Sequence, residues 1–291
     1  MTTLRSSVKR RRMSPARALF GRLRKNPSVI LGFTIIVLWT IAAIFAPWLA
    51  PKDPLEVNFI GRVPPSGEFW LGTDRLGRDM LSRILYGARI SPMVGIVSVV
   101  LGLLIGTTIG TVAGYIGGRT DTILMRFIDA LLALPGILLA LVVIAALGPS
   151  LTNVLIAVGI STVPEYARLA RSSVLSVREM PYIEAAKVLG GGNLRVIVYH
   201  VLPNIAAPLI VLSTLKVGSA ILVGSGLSFL GMGAQPPTPE WGLMTAEGRA
   251  FLDRAWWMST FPGLAILTTV MAFNLLGDGL REALDPHMEQ H

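Results

Sequence analysis

The spacing of the charged side chains constrains this chain more than any single motif. Its 291 residues hold 26 Lys and Arg and 17 Asp and Glu, yet no charge falls in 26–51, 90–118, 130–164, 217–239 or 255–277, and 196–215 carries only His200. A hydrocarbon layer about 30 Å thick is crossed by about 20 apolar residues of helix, so each gap holds at least one crossing. With 52% hydrophobic residues and only 15% charged, against about 25% charged in ordinary soluble domains, a single soluble core and intrinsic disorder are both excluded. The chain reads as an all-α, polytopic membrane protein.

Six transmembrane helices fit the gaps, at about 29–49, 90–116, 125–147, 151–174, 206–232 and 260–280. The long gap 130–164 is divided by Gly148-Pro149-Ser150, a turn signal inside an apolar run. Pro135-Gly136 predicts a kink in the third span. In the second, Gly102, Gly106, Gly110 and Gly114 recur every fourth residue, a small-residue stripe that lets a neighbouring backbone approach closely. Nine Lys and Arg and no acid precede residue 28, which places the N-terminus in the cytoplasm; six crossings then return the C-terminus there. The expected organisation is a basic cytoplasmic tail over 1–28, a first helix over 29–49, an extracytoplasmic loop over 50–89, a five-helix core over 90–285 with a cytoplasmic loop at 175–205, and a tail over 286–291.

The net charge of +9 belongs to that topology signal. The excess lies in 1–27, and from residue 28 onward 17 basic and 17 acidic residues cancel, so nucleic acid is not an expected partner, whereas anionic lipid is. Arg11-Arg12 resembles a twin-arginine signal, but the apolar run that follows is longer than a signal-peptide core and more spans succeed it, which favours an uncleaved anchor. There is no cysteine, and only three histidines, His200, His287 and His291. A resident metal, a cofactor and catalytic residues are therefore not expected. Ser225, between two glycines, resembles a nucleophile setting, but its only candidate histidine partners are His200, placed at the other end of the fifth span, and the terminal pair.

Three segments stand out. In 72–91, Leu81, Ile84, Leu85 and Ala88 share one helical face and Arg75, Asp79 and Arg83 form a ladder on another, which predicts an amphipathic helix in the outer interface or, alternatively, a basic helical start to the second span. In 181–192, Pro181 opens and Gly190 closes a short cytoplasmic helix whose face is Tyr182, Ala185, Ala186 and Leu189, small enough to suit docking on another protein, though the pattern alone equally describes a solvated loop helix. Lys216 lies about ten residues into the fifth span, where an ionisable group is a candidate for the pathway or for a pair with Asp278, Asp129 or Glu165. Arg126–Asp129 and Glu165–Arg168 read as local pairs.

Glu184-Ala185-Ala186-x3-Gly190-x9-His200-x-Leu202-Pro203 resembles the EAA signature of ABC-importer permeases, with His200 where the general pattern has Ile. Leu71-Gly72-Thr73-Asp74, Gly226-Leu227-Ser228-Phe229-Leu230-Gly231, Gln235-Pro236-Pro237-Thr238-Pro239-Glu240-Trp241-Gly242 and Asn274-Leu275-Leu276-Gly277-Asp278 resemble the dipeptide/oligopeptide/nickel branch. The resemblance implies the type I importer permease fold in a bacterial or archaeal inner membrane. It implies a second related permease, one or two cytosolic ABC ATPase subunits that carry ATP and Mg, an extracytoplasmic substrate-binding protein, and a role in peptide transport. It assigns Glu184, Ala185, Ala186 and Gly190 to the coupling of ATP hydrolysis, beside Tyr182 and Leu189 of the same helix. None of the five lysines follows a glycine, so the nucleotide-binding Gly-Lys of a P-loop is absent. A secondary transporter or channel working without an ATPase is the alternative, against which no convincing internal repeat is found.

Overall fold

The computed structural model describes residues 26–57 and 60–284, together with Gly21, Leu23 and Arg24. The expected tails therefore lie largely outside the described residues. Helices α1 (Pro27–Ile44) and α2 (Ala46–Leu49) are followed by an irregular stretch, α3 (Met80–Gly87), α4 (Ser91–Ile116), α5 (Gly118–Leu132), α6 (Gly136–Leu147) and α7 (Leu151–Arg178). Then come α8 (Pro181–Val188), α9 (Asn193–Val196), a π-helical turn at Ile197–Val201, α10 (Leu202–Phe229), α11 (Trp241–Gly248) and α12 (Trp257–Leu284). Helices satisfy their backbone N–H and C=O groups within one segment, as lipid demands.

Four helical stretches are long and apolar enough to cross a membrane; they contain α1, α4, α10 and α12. The expected third span is broken. Pro135 lacks an amide hydrogen and disfavours helix at Leu134, and α5 and α6 meet there at 93°, so that they make a fifth crossing only if taken together. The 12 residues of α6 rise only about 18 Å, less than the hydrocarbon thickness. With 28 residues α7 is long enough, but Glu165, Arg168 and Arg171 fall in its second half, and its apolar face is spent on other helices.

Those helices are chiefly α4, with α6 and α10 beside it. Along α4 the glycine stripe faces α7: a Cβ at Gly106 would stand 2.6 Å from the Val163 carbonyl oxygen, and one at Gly110 would run into the Ala167 carbonyl oxygen. Backbone therefore lies against backbone, as small-residue stripes allow. Ser98 Oγ donates to the Leu155 carbonyl at 2.9 Å, and Tyr166 Oη donates to Ser213 Oγ of α10 at 3.1 Å. The ion pairs between α5 and α7 run from helix to helix. Asp129 pairs with Arg168 at 2.6 Å instead of with Arg126, and Asp121 accepts two hydrogen bonds from Arg171 at 2.5 Å. Because α5 packs across α7, the facing helix offers a closer partner than the next turn does.

At the end of the bundle where α4 begins, the expected amphipathic interface helix needs correction. The helix starts only at Met80, because Asp79 is its N-cap, accepting from the Ser82 amide at 2.8 Å and the Ser82 hydroxyl at 2.7 Å. Residues 74–78 form a turn around Asp74, which accepts from the Leu76 and Arg78 amides. Nor does the helix lie on the surface. Met80, Ile84 and Ala88 pack against Trp241, Met244, Trp257 and Met258, and Arg83 is 1% exposed. Trp241 Nε1 donates to the Ile84 carbonyl at 3.0 Å. Glu240 caps α11, accepting from the Gly242 and Leu243 amides and from Ser91 Oγ. Burial raises its carboxyl above the ordinary range, against the pull of those donors.

Candidate coupling site

The opposite end of the bundle carries the EAA segment. Pro181 occupies the first turn of α8, where its missing N–H costs no intrahelical bond. At the other end, the Gly190 amide donates to the Lys187 carbonyl and the Gly191 amide to the Ala186 carbonyl, both at 3.0 Å, the paired bonds of a Schellman closure. That closure needs a left-handed residue, and Gly190 has φ +85° with open space around it. Conformation, not crowding, makes glycine necessary at this position.

One side chain anchors the helix. Ile183 is fully buried and joins the core cluster of α4, α7 and α10. Lys187 Nζ lies 5.1 Å from the Tyr115 ring centroid at the end of α4, a cation–π contact, and Tyr115 Oη donates to Asn193 Oδ1 at 3.3 Å. Outward, Leu189 is 87% exposed. Tyr182, Ala185, Ala186 and Leu189 do share one face, and with Gly190, Gly191, Arg195, Val196 and His200 they line a groove of about 420 Å³. Glu184 stands exposed in the first turn of α8, the favourable end of the helix dipole for a carboxylate, and does not line the groove.

Lys216 is separate from this cluster. Its Nζ pairs with Glu165 Oε2 of α7 at 2.5 Å, where Lys216 is 21% and Glu165 44% exposed. Of the three acids weighed from the sequence, the structure selects Glu165, which the sequence had paired with Arg168. Arg195, Val196 and Ile183 were not singled out by the sequence. Ile183 falls off the Tyr182 face, and Arg195 lies beyond the glycines on a different helix.

Comparison with known families decides what this scaffold is. A family described as the binding-protein-dependent transport system inner membrane component matches residues 106–290, and one described as the N-terminal TM domain of oligopeptide transport permease C matches residues 14–65. The chain belongs to the binding-protein-dependent inner-membrane transport family. A di/tripeptide transport system permease protein of Pseudomonas aeruginosa is 45% identical over 284 residues, covering 95% of this chain and 93% of its own. A dipeptide transport system permease protein of Alkalihalophilus pseudofirmus is 49% identical over 278 residues, covering 95% and 91%. A glutathione transport system permease protein of Escherichia coli is 43% identical over 278 residues, covering 95% and 92%. The chain is therefore an inner-membrane permease component of an ABC importer, a component that is not itself catalytic, and in this family the EAA loop is where an ATPase is coupled.

Proposed function

We propose that this permease forms half of a translocation pathway for di- or oligopeptides, with a second related permease as the other half. One or two cytosolic ATPase subunits bind and hydrolyse ATP with Mg and deliver their stroke through α8, and an extracytoplasmic binding protein supplies the peptide. Six crossings, with the α5–α6 pair and α7 included and both termini cytoplasmic, accommodate this arrangement. The observation that carries the coupling reading is α8 itself. It is rigidly closed at Gly190 and pinned by Ile183 to the core that contains α10, while its Tyr182–Leu189 face is left open to a partner. A push on α8 is thereby passed to the helix that leads into the bundle.

Replacing Gly190 with valine tests this. A β-branched residue at a left-handed φ costs about 1–2 kcal/mol or more, so the Schellman closure should open locally. Peptide uptake and peptide-stimulated ATP hydrolysis by the reconstituted importer should fall at least about tenfold, with membrane abundance unchanged. Uptake at the parental rate would defeat the coupling role. The substrate class is read from the relatives' names, and competition by dipeptides, longer peptides and glutathione for uptake in a permease-deletion strain checks it.

Lys216 is proposed to line the pathway as a pair with Glu165, whose partial exposure leaves the lysine within reach of a peptide carboxylate. Lys216→Met should lower uptake several-fold and, by leaving Glu165 without its partner, subunit abundance, and Lys216→Met/Glu165→Leu should restore subunit abundance but not uptake. Full recovery of uptake in the double variant would make the pair purely structural.

A further inference from the structure

Four of the most exposed apolar side chains of this permease fall in the coupling segment 181–203. Val188, Leu189, Leu194 and Tyr199 are each at least 70% exposed, and Leu189, with the half-exposed Tyr182, lines a groove that also contains Arg195 and His200. Arg195 forms no ion pair among the described residues, and no carboxylate lines the groove. An unpaired guanidinium at the edge of an apolar socket is a ready bidentate partner for a carboxylate.

The backbone is shaped to make this socket. Arg195 and His200 are five residues apart, which on a regular α-helix would point them about 140° away from each other. The intervening segment Ile197–Val201 is a π turn, with the Leu202 amide donating to the Ile197 carbonyl. Its wider i→i+5 winding reduces the angle between the two side chains, and both line the one groove with Val196 at its base. A π turn inserted between α9 and α10 is a departure from the default helix, and such insertions concentrate at functional sites.

We propose that the groove between α8 and the π turn is a socket for an acidic side chain presented by the partner ATPase, held by Arg195 and His200 between Tyr182, Leu189 and Val196. The proposal rests on the coupling role assigned above to α8. It adds that contact is reciprocal: α8 is received by the ATPase, and the ATPase in turn inserts a carboxylate behind α8. Two-sided engagement transmits pull as well as push, because the ATPase would be tied by an ion pair to α9 and the π turn, which lead into α10, while α8 is pressed from its other side.

The test uses the complete importer of both permeases, ATPases and binding protein. Arg195→Glu places like charge opposite the carboxylate and should reduce the ATPase retained on purified permease at least about tenfold, with Arg195→Gln intermediate and Arg195→Lys close to the parent. In the Arg195→Lys complex a zero-length carbodiimide should join the new amine to an Asp or Glu of the ATPase, located by mass spectrometry and absent from the Arg195→Gln complex. Parental ATPase retention by Arg195→Glu, or cross-links confined to the permease subunits, would overturn the socket. If Gly190→Val uncouples transport while Arg195→Glu is silent, the socket alone fails. If neither has an effect, the coupling role fails with it.

Discussion

Gly110→Ala should destabilise this permease by about 2–3 kcal/mol, although alanine is the better helix former. The usual gain from replacing a helical glycine is about 0.5–1 kcal/mol. At Gly110 the added Cβ would run into the Ala167 carbonyl oxygen, stand 2.8 Å from the Ala170 Cβ and 2.9 Å from the Arg171 amide nitrogen. Two of those three atoms are backbone, so no rotamer change relieves the clash and α7 as a whole must retreat from α4. Overpacking of a tight core costs about 1–3 kcal/mol, and the top of that range applies where backbone must move. Retreat would also loosen the Ser98–Leu155 hydrogen bond and weaken the pairing of Arg171, the next residue, with Asp121. Gly263→Ala is the control, since nothing lies within 4 Å of its added Cβ in α12; it should be neutral or slightly stabilising. Thermal unfolding of the detergent-purified subunit should show a lower midpoint for the first and an unchanged or higher one for the second. Equal effects would mean that the stripe is tolerated glycine and not a packing device.

That stripe illustrates what could be read in advance. A residue repeated every four positions defines a helix face whatever the tertiary structure, and charge-free runs define α1, α4 and α12, with α10 interrupted only by Lys216, by solvent alone. Pro135 announced a bend, but its size depends on where α6 finds partners, here around Leu139, Ala140 and Ile144, which are buried against the rest of the bundle. Ion pairs were misassigned for a related reason. Sequence spacing offers only the i+3 or i+4 neighbour, whereas Asp129–Arg168 and Glu165–Lys216 join residues that only packing brings together. The coupling segment divides the same way. Pro181, Gly190 and the Tyr182 face are local and were legible. The groove was not, because its second wall depends on a π turn, which no hydrophobic period reveals. The same blindness hid Arg83, which any composition rule would place in water.

Removing Glu247 should cost about 3–5 kcal/mol, the range for deleting one member of a buried charge cluster. Arg78 and Arg83 are 2% and 1% exposed, and two carboxylates face them. Asp74 holds Arg78 Nε at 2.5 Å and lies 3.7 Å from Arg83 Nε; Glu247 lies 3.4 Å from Arg78 Nη2 and 3.6 Å from Arg83 Nη2. In Glu247→Ala two buried guanidinium groups would share the single Asp74 carboxylate. Arg83 is the more vulnerable of the two, since its Nε and Nη2 make no close hydrogen bond even in the intact cluster. Its remaining contacts are to the Pro54 and Pro237 carbonyls at 3.4 Å. The cluster therefore depends on charge balance more than on hydrogen-bond geometry, and balance can be restored from the other side. Arg83→Met in the Glu247→Ala background leaves Arg78 and Asp74 as a neutral pair and replaces the less satisfied guanidinium with an apolar chain. The double variant should recover most of the loss, giving a coupling energy of about 2 kcal/mol in a double-mutant cycle on unfolding midpoints, well above the roughly 0.3–0.5 kcal/mol within which independent sites add. Because Glu247 lies on α11 and both arginines on the 74–87 segment, the single variant should also free α11 from α3. Protease cleavage in 230–256 should rise in Glu247→Ala and return to the parental rate in the double variant. Additive effects on stability would show instead that each arginine is held by its backbone and apolar neighbours, with the carboxylates incidental.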